Sequence, residues 1–122
     1  MTWQFSDDRP IYTQLMDQIQ LKIICGEYKA GEKLPSVREL AADAAVNPNT
    51  MQKALSELER SNLVYSQRTS GRFITEDTKM IDDLRKNLAH NEIQQFLFNM
   101  KKIGFTKDEI INLLKNIEEE MN

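Results

Sequence analysis

Ser36-Val37-Arg38-Glu39-Leu40-Ala41-Ala42-Asp43-Ala44-Ala45-Val46-Asn47-Pro48-Asn49-Thr50-Met51-Gln52-Lys53-Ala54-Leu55-Ser56-Glu57-Leu58 contains two helix starts in quick succession. Ser36 with Glu39 three residues on is a capping box, in which the serine oxygen accepts from a first-turn amide and the glutamate reaches back. Leu40 and Ala41 carry the apolar face, and small Ala42, Ala44 and Ala45 follow. Asn47 is a good N-cap, and Pro48 fits the first helical position because its missing N–H would have no partner there. Met51, Ala54, Leu55 and Leu58 then recur at helical spacing, predicting a helix to about Ser61. Two short helices joined by an alanine-rich turn make a helix-turn-helix.

Upstream, Ile11, Leu15, Ile19 and Ile23 recur every four residues behind Pro10, with Tyr12 and Met16 beside them, which predicts a helix closed by Gly26. Trp3 and Phe5 alternate as in a short strand with its rings on the domain. Downstream, Leu63–Gln67 and Arg72–Thr75 read as a hairpin whose tip is Arg68-Thr69-Ser70-Gly71, the glycine supplying a positive φ. From Thr78 a long helix holds Ile81, Leu84 and Leu88, then Ile93, Phe96, Leu97, Met100 and Ile103, before Gly104 stops it. Phe105-Thr106-Lys107-Asp108-Glu109-Ile110 is a second capping box with a hydrophobic staple, opening a last helix with Ile110, Ile111, Leu113, Leu114 and Ile117. The expected fold is mainly α with a small β-hairpin wing. A winged helix-turn-helix occupies residues 1–76 and a two-helix dimerisation region residues 77–122.

Composition limits what such a fold can do. Over 122 residues the net charge is −3, and cutting after Glu76 leaves 9 basic against 10 acidic residues before it and 7 against 9 after it. Neither part is basic, so a nucleic-acid reading has to rest on where the charges sit. No apolar run approaches the roughly 20 residues of a membrane span, and the first residues lack the pattern of a signal peptide, so the expected location is the cytoplasm. Cys25 is the only cysteine and His90 the only histidine. One of each makes neither a dedicated zinc site nor a catalytic triad, and no acids cluster at metal spacing, so we expect no enzyme, metal or cofactor. Cys25 reads as a core or near-core residue.

The chemistry sits at three places. The start of the third helix presents Pro48, Asn49, Thr50, Gln52 and Lys53. Asparagine and glutamine can pair bidentately with adenine, threonine and lysine can take phosphate or guanine, and the helix dipole and free amides favour a phosphate. Arg38 lies early in the preceding helix, within reach of a flanking backbone or a base edge. Arg68, Thr69, Ser70, Gly71 and Arg72 form a basic, flexible tip suited to a neighbouring groove, while the acids Glu27, Asp43, Glu57 and Glu59 are expected elsewhere. Each cation also has a plain reading, as a solvated helix residue or an edge-strand charge that discourages aggregation. A winged-helix module that binds protein and never touches DNA is the rival, favoured by the acidic balance.

A family resemblance decides between them. Gly31-Glu32-Lys33-Leu34-Pro35-Ser36-Val37-Arg38-Glu39-Leu40-Ala41 resembles the signature of GntR-type regulators. So do Val46-Asn47-Pro48-Asn49-Thr50-Met51-Gln52-Lys53-Ala54-Leu55, Leu58-Glu59 and Gly71-Arg72-Phe73. The likeness runs from about Pro10 to Thr75, and the short two-helix tail resembles the YtrA-type subfamily. It implies DNA contact at Arg38, Thr50 and Gly71, with Ser36 and Asn49 matching less closely. Pro48 and Gln52 stand where some relatives have arginine, which leaves the preferred DNA sequence open. It further implies a homodimer on an inverted-repeat, double-stranded operator and control of a transporter operon. Two helices cannot bury the broad apolar stripe of the tail (Ile81, Leu84, Leu88, Ile93, Phe96, Leu97, Met100, Ile103, Phe105, Ile110, Leu113, Leu114, Ile117) within one thin hairpin, so these residues cover the winged domain or meet a second copy, and the resemblance implies the latter. The sequence names no small-molecule effector.

Overall fold

The computed structural model describes residues 2–121. Its elements are α1 (Ile11–Ile24), α2 (Val37–Ala44), α3 (Pro48–Arg60), β1 (Val64–Gln67), β2 (Gly71–Ile74), α4 (Thr78–Ile103) and α5 (Lys107–Met121). The chain divides into two compact units, one ending at Leu84 and the other beginning at Arg85.

In the first unit, α3 is the central post. Its apolar face, Met51, Ala54, Leu55 and Leu58, is buried, and α1, α2 and β1 pack on it. Leu15, Ile19 and Ile23 of α1, Leu40, Ala41 and Ala44 of α2, and Leu63, Val64 and Ile74 of the hairpin close the same core. Each large side chain fully buried there contributes roughly 1.5–3 kcal/mol. The α2–α3 turn is made without glycine: Ala45 adopts the left-handed conformation, φ 58°, and Val46 N–H donates to the Ala41 carbonyl at 3.0 Å.

β1 and β2 pair antiparallel, Val64 opposite Ile74 and Gln67 opposite Gly71. The preceding turn adds a third leg. Leu34 N–H donates to Arg72 O and Ile74 N–H to Glu32 O, both at 2.9 Å, so residues 32–34 run along the outer edge of β2.

Three sequence expectations change here. Trp3 and Phe5 are not on a strand. Their segment is irregular, Trp3 packs against the core, and Phe5 stays exposed with its ring stacked on Trp3 at 6.5 Å. Cys25 is exposed rather than near-core, because α1 ends there and Gly26 turns the chain away. The boundary between units falls inside α4 rather than after Glu76, since Met80, Ile81 and Leu84 of its first turns pack against the winged core. Ile81 and Leu84 are therefore part of the winged unit's packing, not of an unpartnered stripe.

In the second unit, α4 ends in a turn at Gly104, φ 100°, and Thr106 caps α5. Thr106 N–H donates to Glu109 at 3.0 Å while Glu109 N–H donates to Thr106 Oγ1 at 3.3 Å, the reciprocal pair that the sequence announces. Those bonds hold the Glu109 carboxyl below its ordinary pKa, first through the Thr106 backbone and then through its hydroxyl. Ile110 is buried, Leu97, Met100, Phe105 and Leu113 are partly covered, and Ile93, Phe96, Ile103, Leu114 and Ile117 remain exposed. Among the described residues no helix is long and apolar enough to cross a membrane.

Candidate nucleic-acid interface

The start of α3 is capped and uncovered. Asn47 accepts from Asn49 N–H at 2.8 Å, and its carbonyl accepts from Thr50 at 3.0 Å and Met51 at 3.1 Å. Pro48, Asn49 and Gln52 are exposed and Thr50 is half-buried. The expectation of free amides is thus corrected. Proline has no N–H, and Asn47 takes the next three, so this terminus offers a duplex its side chains and its dipole. Gln52 Nε2 lies 3.4 Å from Ser56 Oγ, a bond weak enough to exchange for a base edge. Lys53 is exposed, yet its ammonium sits 3.9 Å from the centroid of the Tyr12 ring on α1, a cation–π contact that steadies it at the helix flank.

A groove of about 620 Å³ separates the start of α2 from the wing. Ser36, Val37 and Glu39 line one side and Thr69, Ser70, Gly71 and Arg72 the other, with Lys33 and Leu34 at its base. The structure therefore brings Ser36 to the wing residues, whereas Pro48, Asn49, Thr50, Gln52 and Lys53 lie outside that lining. Ser36 is engaged locally: it accepts from Glu39 N–H and donates to the Glu39 carboxylate, both at 3.2 Å. Arg38, in the first turn of α2, is exposed.

The wing tip owes its shape to Gly71, whose φ is 107°, and to Ser70 N–H donating to Gln67 O at 2.9 Å. Arg68, Thr69 and Ser70 are exposed at the turn. Arg72 is not a free charge of that tip. Its Nε donates to Glu59 Oε1 at 2.5 Å, and its side chain is only 18% exposed. Ser66 donates to the same oxygen at 2.5 Å. These bonds, the Ser66 hydroxyl first and then Arg72, hold the Glu59 carboxyl below its ordinary value. The expectation that Glu59 lies away from the basic wing is corrected with it, since α3's last turn passes beside β1 and β2. The tip's outward cation is Arg68.

Sequence reading passed over Lys33. It is exposed, lines the groove, bridges to Phe73, and its Cε would stand 3.2 Å from a Cβ at residue 71. The signal was present, a lysine two residues before a proline in a turn. Only the pairing of residues 32–34 with β2 brings it beside the wing.

Comparisons with known proteins identify the family and the fold. The model of the "Bacterial regulatory proteins, gntR family" matches residues 11–74. YhcF of Bacillus subtilis, an HTH-type transcriptional regulator, is 40% identical over 116 residues, covering 95% of this chain and 96% of that protein. YtrA of the same organism, an HTH-type transcriptional repressor, is 33% identical over 109 residues, covering 88% and 84%. A solved GntR family regulator from Listeria monocytogenes superposes with a TM-score of 0.86 at 41% identity, covering 92% of this chain and 98% of that one. The AraR DNA-binding domain, solved in complex with its operator ORX1, superposes with a TM-score of 0.55 at 27% identity over 59% of this chain and 93% of that one. The chain thus belongs to the GntR family, as a DNA-binding winged helix-turn-helix transcriptional regulator of the YtrA-like type and not an enzyme.

Proposed function

We propose that this regulator is a homodimeric repressor that binds an inverted-repeat operator through α3, Arg38 and the wing tip, and that it controls a transporter operon containing its own gene. The observation that carries the reading is the exposure of Pro48, Asn49 and Gln52 at a capped helix start, in a unit that also exposes Arg38 and the Arg68–Ser70 tip. Asn49 and Gln52 supply base-edge donors and acceptors; Arg38 and Arg68 supply phosphate contacts. Repression follows the likeness to YtrA, which is named a repressor; the transporter operon follows the YtrA-type resemblance alone.

Pairing uses the second unit. Ile93, Ile103 and Leu114 are each at least half exposed, and Leu97, Ile110, Ile111 and Leu114 border an apolar groove of about 230 Å³. A second copy covering these side chains places two readers on one duplex, and the operator then mirrors the protein's twofold axis.

The test is a gel shift with the DNA upstream of the chain's own gene. A selective shift is expected, weakening by roughly 10³–10⁵ between 50 and 200 mM salt if six to ten phosphates are neutralised per dimer. Absence of any selective shift for that DNA and for the neighbouring transporter promoter refutes the proposed target.

A further inference from the structure

The segment before α1 is tied down by more polar contacts than a chain end needs. Two glutamines one turn apart on α1 hold it by its backbone. Gln18 accepts from Gln4 N–H at 3.0 Å and donates to Gln4 O at 2.6 Å. Gln14, itself buried, accepts from Ser6 N–H at 2.8 Å and donates to Ser6 O at 2.9 Å and to Arg9 O at 2.7 Å. Each side-chain amide thus does for alternate residues what a neighbouring strand would do.

The far end of this arm leaves α1 and reaches α2. Trp3 Nε1 donates to Asp43 Oδ2 at 2.8 Å, forty residues away in sequence. The indole also covers Lys22, whose ammonium lies 3.9 Å from the ring centroid and 5.6 Å from that of Tyr28. Lys22 is only 5% exposed, so its charge is met by rings rather than by water. Since α1 and α2 each pack chiefly on α3, the arm adds a separate link between them, fastened beside the Ala45 turn that leads into α3.

We infer that Trp3 is a positioning residue for DNA reading: it touches no DNA, and it braces α2 through Asp43 so that Arg38 and the α2–α3 turn keep one orientation. This deepens the proposed reading in which Arg38 contacts the DNA backbone and rests on it; loss of affinity in Arg38→Ala alone tests that reading separately.

The test uses the full chain and a labelled duplex that the wild type has selected from a random pool, so that success of the selection is scored before any variant is made. Trp3→Phe keeps a ring over Lys22 and removes the donor. Asp43→Asn and Asp43→Ala carry the same charge, but only asparagine keeps an acceptor. Below every variant's unfolding midpoint, Trp3→Phe and Asp43→Ala are expected to weaken binding about three- to tenfold, the range one hydrogen bond supports, while Asp43→Asn binds more tightly than Asp43→Ala. The salt slope of both weakened variants should fall by about one, as for a lost phosphate contact. In an Arg38→Ala background, Trp3→Phe should add little, because the brace acts through α2. Lowered melting temperatures with unchanged affinity and slope, or full additivity with Arg38→Ala, would overturn the inference.

Discussion

Gly71 and Glu59 fix the wing from opposite sides, one through the backbone and one through charge. At φ 107° a side chain at residue 71 strains the chain wherever its Cβ points, while the near contact, Lys33 Cε, is the end of a flexible chain that can move. Gly71→Ala should therefore cost about 1–2 kcal/mol in urea unfolding, and trimming Lys33 to alanine in the same protein should recover little of it. If the Lys33 truncation restores stability, the cost is steric and the backbone argument fails. Glu59 predicts a pH effect whose sign follows from its lowered pKa. Its stabilising bonds to Ser66 and Arg72 are present above the ordinary value of 4.5 and are lost as pH falls through the lower folded value. Glu59→Gln should lower the melting temperature near neutrality and flatten its fall below 4.5 relative to the wild type. Parallel pH profiles for the two proteins would show that the carboxylate is not held by these partners.

The elements show which parts of the fold local sequence encodes. Met51, Ala54, Leu55 and Leu58 recur at helical spacing, and all four are buried; the caps at Ser36, Asn47 and Thr106 stand where their side chains announce them. These signals are readable because period and capping are set by neighbours in the chain. Long-range pairing is not: residues 32–34 join β2, Arg72 meets Glu59, and the arm is held by Gln14 and Gln18, glutamines that look like ordinary helix-surface residues. Ala45 turns into α3 with a left-handed φ but without the glycine that would mark it. The exposed, capped start of α3 was legible, whereas the state of the nearby cations was not, since Lys53 lies on Tyr12 and Arg72 on Glu59. Leu58 tests how central α3 is. It is fully buried, and Leu58→Ala should cost roughly 2–5 kcal/mol by chemical denaturation, the range for a leucine cavity in a packed core. A cost below about 1 kcal/mol would mean that the core collapses onto the gap and that α3 is not the post around which the unit is built.

At the scale of the whole chain, α4 carries two apolar faces rather than one stripe. At roughly 100° per residue, Ile81, Leu84 and Leu88 centre on a direction roughly 120° from the centre of Ile93, Phe96, Leu97, Met100 and Ile103. The first set begins with two residues packed on the winged core, and the second continues into the unit that starts at Arg85. A helix with a single apolar partner would keep these residues in phase, and in the proposed dimer the change of phase separates folding of the reader from pairing of copies. Leu114 and Ile117 of α5, both about half exposed, can then be charged without entering the first unit's core. The double variant Leu114→Asp with Ile117→Asp should sediment as a monomer, while a core-reporting NMR spectrum of the winged unit stays unchanged. Its affinity for a single half-site should match the wild type, because the reader is intact. On the full inverted repeat it should bind about 10²–10⁴-fold more weakly, the loss expected when two linked readers become independent. Wild-type affinity for the full repeat in a monomeric variant would show that one copy suffices, and a variant that stays dimeric would place the pairing surface elsewhere.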